Sequence, residues 1–448
     1  MLQKWSKFLL FFLSILQLFC MGCTSPALLA QRGPYLNAYH SGCLEQAEQS
    51  LDQLVKQEIP ARSYTKSKEA SWILLDRATT RFAMGKTEQA IDDYKSALEA
   101  IDYYNQDLPA EKVAQIMLQD NASAYQAADF EQVLARIYFA LALLHQGDEG
   151  NAYALLRQAE EYQQAKQAIY RQVPFTKDYR VPENGLSKFL FATLLEKRGD
   201  LSNASILYKR AAQLISCKDA VADFSNKEKS QATVLVMCHN GNAPYKVTAT
   251  SPASVASAAA LEILLSATSK NDVAVSSLIG VPVPVLQRWP SSMPLPTYAM
   301  MDGHQKRVVP FYSVNQAAQE ELQQKTPVIV ARGVARLLLR RSAIGYLQQK
   351  DPCLGALADL TMYVVNSQTD ADTRSWTTLP AVIDIARFNV EPGCHSLTIQ
   401  VCGLNNSVKN YKLTLNTNDL CIIHVFNIHP GITQVLIPQR YLVNQELP

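Results

Sequence analysis

The side chains of this 448-residue chain that are best suited to chemistry lie near its C-terminus. Cys421, His424 and His429, with Cys394 and His395 close by, supply the thiolate and imidazole ligands that a tetrahedral zinc site uses. Residues 420–426 read as a strand, and successive strand side chains point to opposite faces, so the odd separation of Cys421 and His424 sends them apart. The same parity separates Cys394 from His395. The sequence therefore reads Cys421 as a core thiol and His424 as a surface imidazole, and assigns no metal or cofactor site. Cys402 and Cys421 offer a disulfide between neighbouring strands instead, a pairing that spacing does not fix. Cys20 and Cys23 form a C-x-x-C pattern of the kind used in redox or metal sites, but it straddles an expected cleavage point and is not assigned that chemistry. No nucleophile elbow, phosphate loop, H-E-x-x-H or dinucleotide fingerprint is present, and no catalytic residue is assigned.

Two further groups could bind. Asp372, Arg374 and Trp376 stand in ADTRSWTTLP, residues 371–380. They would either close a tight loop as a charge-assisted clamp over a buried indole, a structural latch, or form a ligand site from Arg374 and Trp376. Arg332, Arg336 and Arg340 recur every fourth residue, with Arg341 adjacent, and share one helix face. That stripe is either a site for lipid phosphate, murein or nucleic acid, or a solvated face opposite Val330, Val334 and Leu338; the second is the ordinary behaviour of an amphipathic helix. Trp289 lies among prolines 282, 284, 290, 294 and 296, which favour extended backbone, and reads as an anchor into the fold.

The elements that must position these groups begin with a repeated frame. In residues 71–102, Ala78 precedes Gly85, and Ala90, Tyr94 and Ala97 follow it. The offsets recur as Ala140, Gly147, Ala152, Leu156 and Ala159, and again as Ala192, Gly199, Ala204, Tyr208 and Ala211. Small residues at these places let two antiparallel helices close, and the glycine supports the turn between them. Leu44, Ala47, Leu51 and Leu54, after Gly42, predict a terminal half-unit with a capping role. Helix is also expected over 109–126, with Asp129 capping the helix that follows, and from 151 to 171.

Composition shifts near residue 225. Gln231–His239 predicts a strand, with a turn at Asn240-Gly241-Asn242. Residues 252–267 predict a buried helix, 314–350 a helix with Pro327 opening a second segment, and 353–366 a short helix. In the tail, 382–390 with 396–402 and 411–415 with 420–426 predict two hairpins, with 434–438 as an edge strand, giving an antiparallel sheet or small sandwich. The expected fold class is α+β: an all-α helical-repeat domain over 35–224, then a mixed α/β domain over 225–448 ending in an antiparallel sheet.

The three glycine-centred units resemble tetratricopeptide repeats, although they are spaced more widely than the usual period of roughly 34 residues and lack the closing proline. The run Ala124–Glu131 with Tyr138, Ala140 and Leu141, and the D-x-R-S-W-x-x-L-P segment, are similar to a group of uncharacterised bacterial lipoproteins with a tetratricopeptide-like front half. The N-terminus points the same way. Lys4 and Lys7 precede an apolar run from Phe8 to Phe19, too short for a comfortable span, which reads as a secretory signal over 1–22. Gly22-Cys23 resembles the lipobox, which implies lipidation at Cys23 and a tether over 23–34. By the same resemblance, Thr24 implies an outer membrane with the body facing the periplasm. Beyond Cys23, an exported chain would carry cysteines 43, 217, 238, 353, 394, 402 and 421, an odd set that leaves at least one unpaired or bonded to another chain.

A formal charge of +2 shows no basic excess, which argues against nucleic-acid binding. The expected function is thus a non-enzymatic, membrane-anchored periplasmic scaffold that holds a protein or peptide partner through its helical repeats. The alternative is an envelope enzyme or carbohydrate- or murein-binding protein with its site in 225–448.

Overall fold

The computed structural model describes residues 26–59, 63–106, 124–172, 176–215, 230–250, 281–289, 293–351, 371–403 and 406–443, with single positions between them. The expected helices over 109–126, 252–267 and 353–366, and the signal and Cys23, lie wholly or mostly outside that set. The fold is mixed α+β, with helices in the first half and sheets rich in antiparallel pairs in the second.

Eight helices form four hairpins: α1 (Pro26–His40) with α2 (Leu44–Glu58), α3 (Ala70–Ala83) with α4 (Thr87–Tyr104), α5 (Asp129–Gln146) with α6 (Glu149–Gln172), and α7 (Gly185–Lys197) with α8 (Leu201–Leu214). Each hairpin turns at a glycine in the left-handed region, Gly42, Gly85, Gly147 and Gly199, with φ of 79°, 79°, 103° and 83°. Ala78, Ala90, Tyr94, Ala97, Ala140, Ala152, Leu156, Ala159, Ala192, Ala204, Tyr208 and Ala211 are all buried. Local sequence starts several helices. Asn184 and Asp200 accept the N–H groups of Ser187 and Asn203, and the Glu131 carboxylate accepts that of Ala128 at the head of α5. Asp129, expected as the cap, is instead the first helical residue, and its carboxylate is buried and bound to tyrosine hydroxyls. Residues 26–34, read as tether, belong to α1 despite Pro34, and Arg32 is buried.

The second half contains a five-stranded sheet in the order β11-β10-β1-β7-β6, a four-stranded sheet β5-β4-β8-β9 and a two-stranded ribbon β2-β3. The strands are β1 (Ala232–Asn240), β2 (Tyr245–Thr250), β3 (Pro282–Gln287), β4 (Thr297–Met301), β5 (His304–Arg307), β6 (Val309–Ser313), β7 (Val382–Val390), β8 (Gly393–Val401), β9 (Ser407–Leu415), β10 (Leu420–His429) and β11 (Ile432–Leu436). Two expected hairpins are not formed. Strand β7 pairs with β1 and β6 while β8 pairs with β4 and β9, so the 391–393 turn crosses between sheets; the turn after β9 crosses back, and β10 runs parallel to β1. Both crossings follow from burial. β1, β7 and β10 are buried on both faces, whereas β8 and β9 alternate buried and exposed residues. Local turn signals do not distinguish these two cases.

The layers follow from that parity. One face of β1 (Val234, Val236, Cys238) meets Leu397, Ile399 and Leu413 of the four-stranded sheet. The opposite face (Leu235, Met237) joins Ile385, Ile422 and Phe426 in one continuous core with the helices. The order is therefore helices, five-stranded sheet, four-stranded sheet. A ninth described helix, α9 (Val314–Lys350), runs unbroken through Pro327, where the sequence had suggested a new segment. Helical continuity there is helped by tertiary contacts at its first half, where Glu321 docks on α5.

Candidate functional site

Asp372, Arg374 and Trp376 lie in an extended strap, residues 371–380, threaded between the helical layer and the five-stranded sheet. The helices hold this strap largely through its backbone. From α1, Arg32 donates to the carbonyls of Thr373 and Ser375 at 3.1 and 3.2 Å, and the Tyr39 hydroxyl to that of Thr378 at 2.9 Å. From α5, Glu131 accepts the Trp376 N–H at 2.9 Å. From α3, Asp76 accepts the N–H groups of Thr377 and Thr378, both at 2.9 Å, as well as their hydroxyls and that of Tyr35. Burial pushes the Asp76 carboxyl above its ordinary value, and the Tyr35 hydroxyl, the Arg32 charge and the Thr377 and Thr378 donors work against that rise.

The side chains complete the seat. Arg374 forks onto Asp372 and places a third nitrogen 2.8 Å from Glu69, which also accepts Trp72 Nε1 at 2.6 Å. Burial alone would raise the Asp372 carboxyl, but the Arg374 charge holds it below its usual range. Trp376 donates to Thr79 at 3.0 Å and packs edge-on to Tyr94 and Tyr138, with centroids 6.3 and 5.4 Å away. Asp372, Arg374 and Trp376 are thus joined in one place, each bonded to partners within the protein.

The sulfur and imidazole groups do not converge. Cys421 faces the sheet–sheet core and His424 the helical side, as their parity requires, but His424 is fully buried rather than at the surface. Its ring lies 5.4 Å from that of His239, whose Nε2 is 3.1 Å from His424 Nδ1 and whose Nδ1 is 2.8 Å from the Tyr138 hydroxyl. His145 stands 5.9 Å from His424 on the helical side. Burial pushes His239 down to about 3 and His145 to about 4, and lowers His424 well below its ordinary value, so these rings are neutral. Cys402 and Cys421 are both free thiols, in different sheets' surroundings. His395 binds Asp302 and the Glu391 carbonyl, and among the described residues no cluster of three or more histidine, cysteine or acidic groups is placed to hold a metal. Arg336 is buried rather than solvated, Arg332 is partly exposed, and the side chain of Arg340 lies outside the described set. Trp289 packs between His40 and Tyr245, at 4.0 and 4.3 Å between ring centres, as an anchor does.

Sequence reasoning missed the strap's holders: Arg32, Tyr35, Tyr39, Glu69, Asp76, Thr79 and Glu131. Asp76 carried a readable signal, an acid inside the run SWILLDRATT where a buried face leaves no room for an unpaired charge. Compared with known proteins, the chain matches no family model, no curated protein and no solved structure.

Proposed function

We propose that this chain is a lipid-anchored, non-enzymatic scaffold of the bacterial envelope, tethered through Cys23 and facing the periplasm from the outer membrane. In this reading its helical layer is built of tetratricopeptide-like pairs. The observation that carries it is the strap: the helices grip an extended segment by its amides and carbonyls, the groups through which helical arrays can hold peptides of varied sequence. The strap occupies that seat from within the chain, so a partner meets the outward faces of the hairpins, where Asp92, Glu99, Gln158 and Ala165 are exposed. Among the described residues, no helix is long and apolar enough to cross a membrane.

The test is site-specific photo-crosslinking of the full chain in its native membranes. Probes at Asp92, Glu99, Gln158 and Ala165 are expected to capture a common protein, and probes at Asn410 and Lys412 on the outer sheet are not. Capture of the same protein from the sheet positions alone, or of none from the helices, would refute the scaffold reading. Cys23→Ser is expected to abolish incorporation of a lipid label while leaving the melting temperature unchanged; an undiminished label would remove the anchor.

A further inference from the structure

A cavity of about 340 Å³ opens between the head of α5, the far part of α6, the first half of α9 and the strap, a size within the range of small-molecule pockets. One part of its wall is apolar, formed by Pro244, Pro284, Leu286, Leu322, Val328 and Ile329. The rest mixes neutral polar and aromatic side chains with charged ones of both signs, which are not equally available. Asp129 accepts the hydroxyls of Tyr162 and Tyr170 at 2.9 and 2.5 Å and pairs with Lys325 at 3.1 Å. Glu321 accepts the N–H groups of Asp129 and Phe130 at 2.7 and 3.0 Å, capping α5, and also pairs with Lys325. Asp372 and Glu131, the other acids of the wall, are bound to Arg374 and to the strap and Tyr125.

The lysines are differently placed. Only 5 % of the Asp129 side chain and 8 % of that of Glu321 is exposed, against 32 % for Lys325 and 27 % for Lys166. Lys166 lies 3.7 Å from Asp129, beyond hydrogen-bond range, and rests 5.5 Å from the Tyr170 ring centre. An ammonium carries three donors, and among the described residues carboxylates take at most two on Lys325 and none on Lys166. The buried Tyr179 hydroxyl, on a ring packed edge-on to Tyr170, has no hydrogen-bond partner among the described residues. A molecule entering this space meets unfilled donors on one side and hydrocarbon on the other.

We propose that the cavity binds a small organic anion, its carboxylate received by Lys325, Lys166 and Tyr179 and its apolar body packed on the α9–β3 wall. Burial alone would lower the Lys325 ammonium, but Glu321 and Asp129 hold it well above its ordinary value, so the charge persists at neutral pH. This site is independent of the scaffold reading, since neither requires the other.

The experiment is calorimetric titration of the purified full-length protein, with buffer blanks subtracted. The probes are phenylbutyrate, its neutral amide and the corresponding amine. Phenylbutyrate is expected to bind saturably, with the amide and amine at least about tenfold weaker, as loss of a charged hydrogen bond implies. Lys166→Met, which leaves the buried network in place, should weaken phenylbutyrate about tenfold. Val328→Trp, which fills the apolar side, should abolish its binding. A thermal melt checks that each variant is folded. Absence of saturable binding, equal binding of the three probes, or binding unchanged in folded Lys166→Met would each overturn the proposal.

Discussion

Five donors meet the two carboxylate oxygens of Asp76, and two of them are strap amides with no other acceptor at hand. Asp76→Ala removes every acceptor at once and leaves those amides buried and unpaired, so a loss of at least about 3 kcal/mol in denaturant unfolding is expected; a loss below about 1 kcal/mol would show that the strap does not depend on it. The buried imidazoles give a pH dependence whose sign is fixed. His239 at about 3 and His40 and His145 at about 4, with His424 also depressed, bind fewer protons folded than unfolded, where histidine titrates near 6.5. Stability is therefore full above about pH 6.5 and declines as pH falls toward 4, by on the order of 1–2 kcal/mol per histidine between pH 7 and 5. Asp384, pushed up to about 6 by burial, works in the opposite sense, as do Asp76, Asp93 and Glu58, whose carboxyls burial also raises. Denaturant midpoints should fall from pH 7 to pH 5, and fall less in His424→Leu; a flat profile would contradict the burial of these rings. At this scale the sequence revealed which residues are chemically unusual, Trp376 and Arg374 among them. It did not reveal that their partners are Glu69 and Thr79, some three hundred residues away, because parity and spacing speak only of neighbours.

The glycine elbows show what an element needs beyond its own turn. A Cβ on Gly42 would come within 2.4 Å of Ile432, one on Gly85 within 3.3 Å of Leu436, and one on Gly147 within 3.3 Å of Arg440. Successive hairpins thus set their elbows along β11 and the residues after it. Arg440 also donates to the last carbonyls of α5, at Leu144 and His145. Gly199 has open space around that position, and only its left-handed φ requires glycine. Gly199→Ala should cost about 1 kcal/mol and Gly42→Ala clearly more, because the second adds a steric conflict to the same backbone strain. Equal costs would mean that the elbow does not abut β11. The offsets around Gly85, Gly147 and Gly199 made the hairpins readable in advance. Strand β1 was readable too, from its β-branched run and the turn after it, and the edge strand expected at 434–438 lies two residues earlier, at Ile432–Leu436. The sheet assignments of β7 to β10 were not readable, since a short turn looks the same whether it closes a hairpin or crosses between layers.

For the molecule as a whole, the helices cover one face of the five-stranded sheet, with Leu235, Ile385, Ile422 and Phe426 in the same core as Trp72, Phe82 and Tyr138. Arg387 of β7 adds a buried tie, reaching Glu196 and Tyr208 at 2.8 Å each. Removing the helical half to test its role would strip that face bare, which is why single-site probes suit the functional test better than truncation. The layering was beyond sequence reading because it rests on β1 pairing in parallel with β10 across nearly two hundred residues, and no local pattern announces such a contact. Its consequence is that the strap opens only when the helical layer and the sheet part. Native-state hydrogen exchange on the intact protein measures this directly. The amides of Trp376, Thr377 and Thr378 should exchange as slowly as those of Val234–Met237 in β1, and should slow and quicken together with them as denaturant is varied. Rapid exchange at Trp376–Thr378 while β1 stays protected would contradict the claim that the helices hold this segment as part of their own core.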